Sequence, residues 1–234
     1  MKQHLKKAIN AFGYEFRRLD PERNLVNFIK LHHIQLVVDV GANTGQFALD
    51  LRKDGYTGKI VSFEPISDVF AQLASHAAAD GNWIAINTAL GTTAGTSIIN
   101  VSDETVFSSI LPQTDFAKDS YPGARPIRQE TIKMQTLDEA FKPHGVATLL
   151  KIDTQGFERA VLDGGTVALR SIDAVWLELP IVHLYEGVWK LEEAVSYMEG
   201  HGFMLSQIKP VNSNPDDPVV EVDCLFRRKK RAVN

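Results

Sequence analysis

The sequence has a single cysteine, Cys224, among 234 residues. One cysteine excludes an internal disulfide and a zinc site built from clustered cysteines, and it is typical of a reducing compartment. Uninterrupted apolar runs of about 18 residues are also absent, so no segment is expected to span a membrane. Because the first residues lead into no continuous apolar stretch, we expect no secretory signal and a cytoplasmic protein.

Positive charge is scarce over most of the chain. Residues 19–226 contain 28 Asp and Glu against 15 Lys and Arg, whereas residues 227–231 read Arg-Arg-Lys-Lys-Arg. Nucleic-acid-binding surfaces need clustered cations, so this acidic body argues against a nucleic-acid partner. The basic segment 227–234 is either a solvated tail or, as the alternative, a peripheral contact with anionic lipid.

The length and the composition, 44% hydrophobic and 23% charged residues, fit one large domain. Apolar residues recur at three- and four-residue spacing from Leu5 to Leu19, which predicts an amphipathic helix. A second short helix is expected from Leu25, so residues 1–30 form a helical extension and 31–226 the domain. The first helix packs against the domain, lies on a membrane surface or forms an active-site lid.

Short apolar runs alternate with helical patterns from residue 36 onward. Such runs are typical of central strands in a sheet that is covered on both faces. The predicted strands are Leu36–Val40, Ile60–Phe63, Trp83–Ile86, Ala147–Ile152 and Ala174–Leu179, and residues 203–226 should add a hairpin. Predicted helices cover 44–53, 67–79, 136–142, one or two within 157–170, and 188–200. This order predicts an α/β fold with a parallel, doubly wound sheet.

Residues 91–135 depart from this alternation. They contain no convincing helix, and a long irregular insertion in a compact domain is usually functional or disordered. We expect the insertion to cover the substrate as a cap, and a solvated loop is the alternative. Its candidate binding residues are Ser108, Ser109, Tyr121, Arg125 and Arg128.

The most informative motif, Asp39-Val40-Gly41-Ala42-Asn43-Thr44-Gly45-Gln46, ends the first predicted strand. Its two glycines allow a sharp turn and a close approach of the backbone to a ligand. A dinucleotide-binding loop, G-x-G-x-x-G, would have glycine at Asn43 and Gln46, so an NAD-dependent dehydrogenase is disfavoured. The acid two residues before Gly41 suits a ligand that carries an ammonium group.

Two further acids end predicted strands at the same edge of the sheet. Glu64, before Pro65, is placed to accept hydrogen bonds from both hydroxyls of a ribose, or else it caps a helix. Asp153 ends the fourth strand, which lies beside the first in such a sheet, and should face the same crevice. Asp39, the glycine loop and Glu64 together describe a site for a nucleoside with an amino-acid tail and no phosphates. That is the shape of S-adenosylmethionine.

At these motifs the chain resembles a known family. Asp39–Gly45, Phe63–Pro65, Asn87–Gly91 and Lys151–Gly164 are similar to motifs of the FkbM family of S-adenosylmethionine-dependent methyltransferases. The resemblance implies the class I methyltransferase (Rossmann-like) fold, with seven strands in the order 3-2-1-4-5-7-6 and strand 7 antiparallel. It also implies O-methylation of a small molecule or glycoside, such as a sugar, a glycolipid or a natural product.

The resemblance further implies roles for individual residues. The methionine part of the cofactor would be held by Asp39, Gly41, Ala42, Asn43 and Gly45, and its ribose by Glu64. The adenine pocket would be lined by Asn87, Ala89 and Leu90. Asp153 would lie beside the sulfonium and the acceptor hydroxyl.

Methylation of a hydroxyl is helped by a base that takes its proton. The candidates are Asp153, Glu178 at the end of the fifth strand, and His183 in the loop that follows. As alternatives, Asp153 only orients the cofactor and His183 is structural. No metal is expected, because only Asp153 and Glu178 could supply oxygen ligands. The alternative functions are a methyltransferase for protein or nucleic acid and a non-catalytic S-adenosylmethionine-binding module.

Overall fold

A computed structural model describes residues 25–142, 145–211 and 218–229. The helix predicted within residues 5–19 and the basic residues from 230 onward lie outside these ranges. None of the helices within them has the length and apolar character needed to cross a membrane.

A seven-stranded sheet forms the centre of the fold, in the order β3-β2-β1-β7-β8-β10-β9. Its strands are β1 (Leu36–Val40), β2 (Lys59–Phe63), β3 (Trp83–Ile86), β7 (Thr148–Ile152), β8 (Ala174–Pro180), β9 (Phe203–Pro210) and β10 (Glu221–Arg228). Only β10 runs antiparallel to its neighbours β8 and β9. Counted within this sheet, the order is 3-2-1-4-5-7-6 with strand 7 antiparallel, which confirms the predicted fold class.

Seven helices connect or flank the strands in the described ranges. They are α1 (Leu25–Leu31), α2 (Gln46–Lys53), α3 (Ser67–Ala78), α4 (Asp115–Ser120), α5 (Leu137–Ala140), α6 (Glu158–Asp163) and α7 (Leu191–Gly200). The helix predicted over 136–142 is shorter, but it begins at the expected capping box, in which Thr136 and Glu139 bond each other's backbone N–H. The main apolar cores form where these helices cover the two faces of β1, β7 and β8.

The insertion at 91–135 is more regular than the sequence suggested. It contains β5 (Gly95–Ser102) and β6 (Pro126–Gln135), which pair antiparallel and form a second sheet with β4 (Ala89–Leu90). It also contains α4, whose N-cap Thr114 accepts a hydrogen bond from Ala117 N. The strands were missed because polar residues separate their few buried apolar residues, Ile99, Val101 and Ile132, so neither strand shows a continuous apolar run.

The last strand extends into the segment expected to be a basic tail. Arg227 and Arg228 belong to β10. The Arg228 guanidinium donates to the carbonyl oxygens of Ile172 and Leu169 and lies over the ring of Phe203. These two arginines are therefore part of the folded domain.

Candidate functional site

A cavity of about 350 Å³ lies at the carboxyl ends of β1, β2, β7 and β8. From β1 the chain adds β2 and β3 on one side of the sheet, and it later crosses to β7 on the other side of β1. Open α/β sheets bind ligands at this topological switch point. A second cavity, of about 740 Å³, opens beside it, and the two share Gly41, Asn43, Val106, Asp153 and Glu178.

Glycines shape the loop that follows β1. Gly41 has φ +75°, and a Cβ atom there would overlap the backbone oxygen of Asp153. Gly45 has φ +95°, and a Cβ atom there would lie 2.7 Å from the Trp83 ring, so this glycine permits packing and lines neither cavity. Of these two glycines, only Gly41 lines the cavities, and its backbone lies close to that of Asp153, directly after β7.

The N–H groups of this loop are all bonded within the protein. The acceptors are Phe63 O for Gly41 and Ala42, Glu64 Oε2 for Asn43, Asn43 Oδ1 for Thr44, and Ala42 O for Gly45. A phosphate-binding loop instead turns such donors toward its ligand. The geometry therefore agrees with a ligand that presents no phosphate here.

Glu64 lies in the wall of the cavity and is only 4% exposed. Its two carboxylate oxygens accept hydrogen bonds from Asn43 N and Ile66 N, each at 2.9 Å. Burial raises the pKa of Glu64 to about 7, although these two N–H donors act in the opposite direction. Each oxygen retains a lone pair for a ligand hydroxyl. Glu64 thus both organises the loop and offers acceptors to the cavity.

Asp39 does not reach a ligand in this arrangement. Its side chain is fully buried, bonded to Ser62 Oγ at 3.1 Å and paired with Lys151 Nζ at 3.1 Å, and it lines neither cavity. Asp39 is in register with Ser62 on β2 and Lys151 on β7, so the three side chains share one face of the sheet. The sequence analysis predicted that Asp39 faces the ammonium group of a ligand, but in the structure it faces the ammonium group of Lys151.

Lys151 is a site residue that the sequence analysis missed. Its Nζ lies 3.4 Å from Asp153 Oδ2 and donates to Gly41 O at 3.1 Å. Burial would lower its pKa, but the carboxylates of Asp39 and Asp153 outweigh burial and hold the pKa above its usual value. The available signal was a lysine inside an otherwise apolar strand, which requires a buried partner.

Asp153 and Glu178 meet at the boundary between the two cavities. Burial would raise the pKa of Asp153, but Lys151, together with hydrogen bonds from Gln155 and Glu178, holds it below its usual value. Burial and the Asp153 charge raise the pKa of Glu178 well above its usual range. These opposite shifts favour the ionised form of Asp153 and the protonated form of Glu178.

His183, the third candidate base, lies elsewhere. It is exposed, lines neither cavity, and its backbone oxygen accepts a hydrogen bond from Thr114 Oγ1. The strand-end position of Glu178 carries it into the site, whereas the loop carries the His183 ring outward. The structure therefore does not bring His183 together with Asp153 and Glu178 at the cavities.

The expected adenine residues divide into two groups. Ala89 and Leu90 line the 350 Å³ cavity, together with Thr88, which was not predicted. Asn87 does not line it, because its Nδ2 donates to the backbone oxygens of Glu64 and Pro65. Asn87 thus holds the turn that presents Glu64.

The two remaining predicted residues of the loop after β1 differ in the cavities that they line. Asn43 lines both cavities, and its Nδ2 donates to Thr105 Oγ1 of the insertion at 3.1 Å. Ala42 lines the larger cavity only.

The insertion forms one wall of the 350 Å³ cavity, through Ile99, Thr105, Val106, Phe107, Ser108, Ile110 and Tyr121. Ser109 donates to Gln155 O instead of facing the cavity. Arg125 and Arg128 do not line the cavity, and Arg128 pairs with Asp68 and Glu130 on the surface. The two arginines expected to bind substrate are therefore not in the site.

No group of three or more His, Cys, Asp or Glu side chains in 25–142, 145–211 and 218–229 is arranged to hold a metal ion.

Glu158, at the first turn of α6, is a second missed carboxyl. It is 1% exposed, and its Oε1 accepts hydrogen bonds from Thr154 N, Thr154 Oγ1 and Gly156 N. Its Oε2 has no hydrogen-bond partner among the described residues. Burial is the main cause that raises the pKa of Glu158 to about 7. Glu158 therefore holds the loop after β7 in place, although burial of its carboxyl group disfavours the ionised form.

We expect Glu158→Gln to flatten the dependence of stability on pH. In the folded wild type this carboxyl keeps a proton up to about pH 7, whereas the unfolded chain releases it near 4.5. Its contribution to stability is thus present below pH 4.5 and lost as pH rises through 7. One pKa unit corresponds to about 1.4 kcal/mol, so wild type should lose roughly 3 kcal/mol more than the variant from pH 4 to 8.

Urea denaturation at each pH measures this loss. Glu199→Gln, which removes a carboxyl from the exposed side of α7, is the control and should keep the wild-type slope. A Glu158→Gln slope equal to that of wild type would show that folding does not raise the pKa of Glu158.

Comparisons with known proteins agree with this architecture. The profile of the methyltransferase FkbM domain matches residues 39–205. Among curated proteins, none matches the sequence. A Streptococcus pneumoniae protein assigned as a tRNA (m1A22) methyltransferase, solved with S-adenosylmethionine, aligns over 90% of this chain and 74% of its own at 10% identity (TM-score 0.50). At this identity the likeness concerns the fold alone.

A second solved structure is magnesium protoporphyrin IX methyltransferase from Synechocystis with bound S-adenosylmethionine. It aligns over 97% of both chains at 11% identity, with a TM-score of 0.47. The FkbM match spans more than half of the chain and contains the loop after β1, Glu64 and Asp153. The chain therefore belongs to the FkbM family of S-adenosylmethionine-dependent methyltransferases.

Proposed function

We propose that this methyltransferase transfers a methyl group to a hydroxyl of an uncharged small molecule or glycoside. The observation that carries the proposal is the charge of the 350 Å³ cavity. The charged residues that line it are the acids Glu64, Asp153, Glu178 and Glu221, and among its described lining residues there is no Lys, Arg or His. An acidic cavity attracts a cationic sulfonium and repels phosphate groups.

The residues of the cavity fit S-adenosylmethionine. Glu64 has free lone pairs for the two ribose hydroxyls, and the Gly41–Asn43 backbone borders the space for the methionine part. Thr88, Ala89, Leu90 and Ile66 give a mainly apolar wall for the adenine. The inward bonding of the loop N–H groups suits a ligand without a pyrophosphate.

When bound, S-adenosylmethionine supplies an electrophilic methyl carbon on a sulfonium. The chain must then orient the acceptor oxygen and take its proton. Asp153 is supported as the proton acceptor, because it is held ionised, lines both cavities and is 31% exposed at its side chain. Glu178, whose raised pKa favours the protonated form, would orient the acceptor or Asp153 by hydrogen bonding. This role needs no titration of either group near neutral pH.

The acidic cavity also argues against a nucleic-acid acceptor. A polynucleotide strand would bring phosphates close to Asp153, the carboxyl that is held ionised, and no cation among the described lining residues of this cavity would offset the repulsion. A neutral glycoside instead offers hydroxyl groups that can donate hydrogen bonds to these carboxyl groups.

We expect Asp153→Asn to lower methyl transfer by about 10²- to 10⁴-fold, the usual contribution of a positioned base. S-adenosylhomocysteine release is measured with a panel of neutral glycosides, the corresponding sugar phosphates and tRNA. His183→Ala, which alters an exposed ring outside the cavities, is the control and should keep the wild-type rate.

Turnover with neutral glycosides alone, lost in Asp153→Asn, supports the proposal. Turnover with tRNA or sugar phosphates, or an unchanged rate in Asp153→Asn, contradicts it.

A further inference from the structure

The side chain of Gln155 lies between the two candidate catalytic carboxyls. Its Nε2 donates to Asp153 Oδ1 at 2.8 Å and to Glu178 Oε2 at 2.9 Å. Its Oε1 lies 2.7 Å from the hydroxyl of Tyr185, which donates to it. The reverse orientation of the amide would place its oxygen against two carboxyl oxygens, so the network determines which way the group points.

The backbone adopts an uncommon conformation to place this side chain. Gln155 has φ 55°, in the left-handed region that a non-glycine residue rarely occupies, and Gly156 follows with φ 96°. Such a conformation costs roughly 1–3 kcal/mol and persists only where the surroundings impose it. Glu158 Oε1 bonds the flanking N–H groups of Thr154 and Gly156, and Ser109 Oγ donates to Gln155 O.

Gln155 is thus held from three sides, by α6, by the insertion and by Tyr185. This support exceeds what a solvated loop residue needs. It is typical of a residue whose position matters to the groups that it touches.

We propose that Gln155 is a positioning residue for methyl transfer, which holds the carboxyl groups of Asp153 and Glu178 in a fixed mutual orientation through its two donated hydrogen bonds. This inference rests on the proposed function of the carboxyl pair. A primary amide donates two hydrogen bonds and has no charge, so it can satisfy both carboxyls without adding repulsion. Methionine has similar length but donates nothing, and glutamate replaces the donor with a further carboxyl group.

Other charged groups also face the pair and are present in every variant. They are Lys151 on β7, Asp39 through Lys151, Glu158 on α6, and Glu221 and Asp223 on β10. Because these groups remain, a change in titration after substitution of Gln155 reports the loss of its two donated bonds.

The test is a ¹³C NMR titration of the Asp and Glu carboxyls in the free protein, with Glu178→Gln used for assignment. In Gln155→Met the Glu178 step is expected to move to higher pH by about one unit, because a donor to its carboxylate is lost. In Gln155→Glu, which has nearly the same shape as wild type, the step should move further.

Gln113→Met is the matched control. Gln113 is also buried, and its Nε2 donates to Ser102 Oγ and Phe107 O instead of to carboxyls. Its replacement should leave the Glu178 step in place. A wild-type Glu178 step in both Gln155 variants, or an equal shift in Gln113→Met, overturns the proposal. Failure of wild type to bind S-adenosylhomocysteine would instead contradict the proposed function, and the NMR result would still decide the role of Gln155.

Discussion

Gly41→Ala is expected to destabilise the protein by about 4 kcal/mol or more, one of the largest effects of any single substitution in this fold. Two costs add at this position. The backbone has φ +75°, which disfavours a side chain, and the new Cβ would overlap the backbone oxygen of Asp153. Since that oxygen belongs to the rigid end of β7, relief requires the central strands to separate.

Separation of these strands would also disturb the cavity. β1 and β7 are bonded along their length, from Leu36–Thr148 to Val40–Ile152, and Asp153 N donates to Val40 O. Movement at Gly41 therefore displaces Asp153. We expect the folded fraction of Gly41→Ala to bind S-adenosylhomocysteine much more weakly than wild type.

Gly55→Ala isolates the backbone cost from the overlap. Gly55 has φ +87°, but a Cβ atom there has nothing within 4 Å. It should cost about 1–2 kcal/mol in urea denaturation, the price of left-handed backbone alone. If Gly41→Ala cost no more than Gly55→Ala, the close approach of the loop to β7 would be wrong.

The central strands and the edge that holds the site could be predicted from the residues themselves, whereas the full strand order was implied by the resemblance to the FkbM family. β1, β7 and β8 are buried on both faces, so their apolar runs stand out, and parallel strands place their carboxyl ends at one edge. Gly41, Glu64 and Asp153 each follow such a run, and the structure brings all three to one cavity.

The partners of individual side chains could not be predicted in this way. Asp39 pairs with Lys151 because the two are in register on adjacent strands, and register depends on contacts between distant segments. The direction of the His183 ring and the left-handed turn at Gln155 depend likewise on packing. The small sheet of the insertion was missed because its buried apolar residues are few and are separated by polar ones.

Glu64→Ala is expected to weaken S-adenosylhomocysteine binding by about 100-fold or more. Two hydrogen bonds from ribose hydroxyls to a carboxylate are each worth about 1.5–3 kcal/mol, and tenfold in affinity corresponds to about 1.4 kcal/mol. The substitution also leaves Asn43 N and Ile66 N without their acceptor, which loosens the loop itself. The loss should appear in the dissociation constant more than in the stoichiometry.

Glu64 also accepts a hydrogen bond from Ile66 N at the start of α3, so its removal could act through this helix. Glu130→Ala is the matched control for that effect. Glu130 Oε1 accepts hydrogen bonds from Ser67 N and Oγ, at the start of the same helix, but Glu130 lies outside the cavity. Its removal should therefore weaken the helix end without changing affinity. Equal losses in the two variants would assign the effect to the helix and not to a ribose contact.

Isothermal calorimetry with S-adenosylhomocysteine on wild type, Glu64→Ala and Glu130→Ala tests the central claim most directly. The account predicts one site per chain in wild type, the same affinity in Glu130→Ala, and a loss of about 100-fold in Glu64→Ala. No binding to wild type, or wild-type affinity in Glu64→Ala, would contradict it.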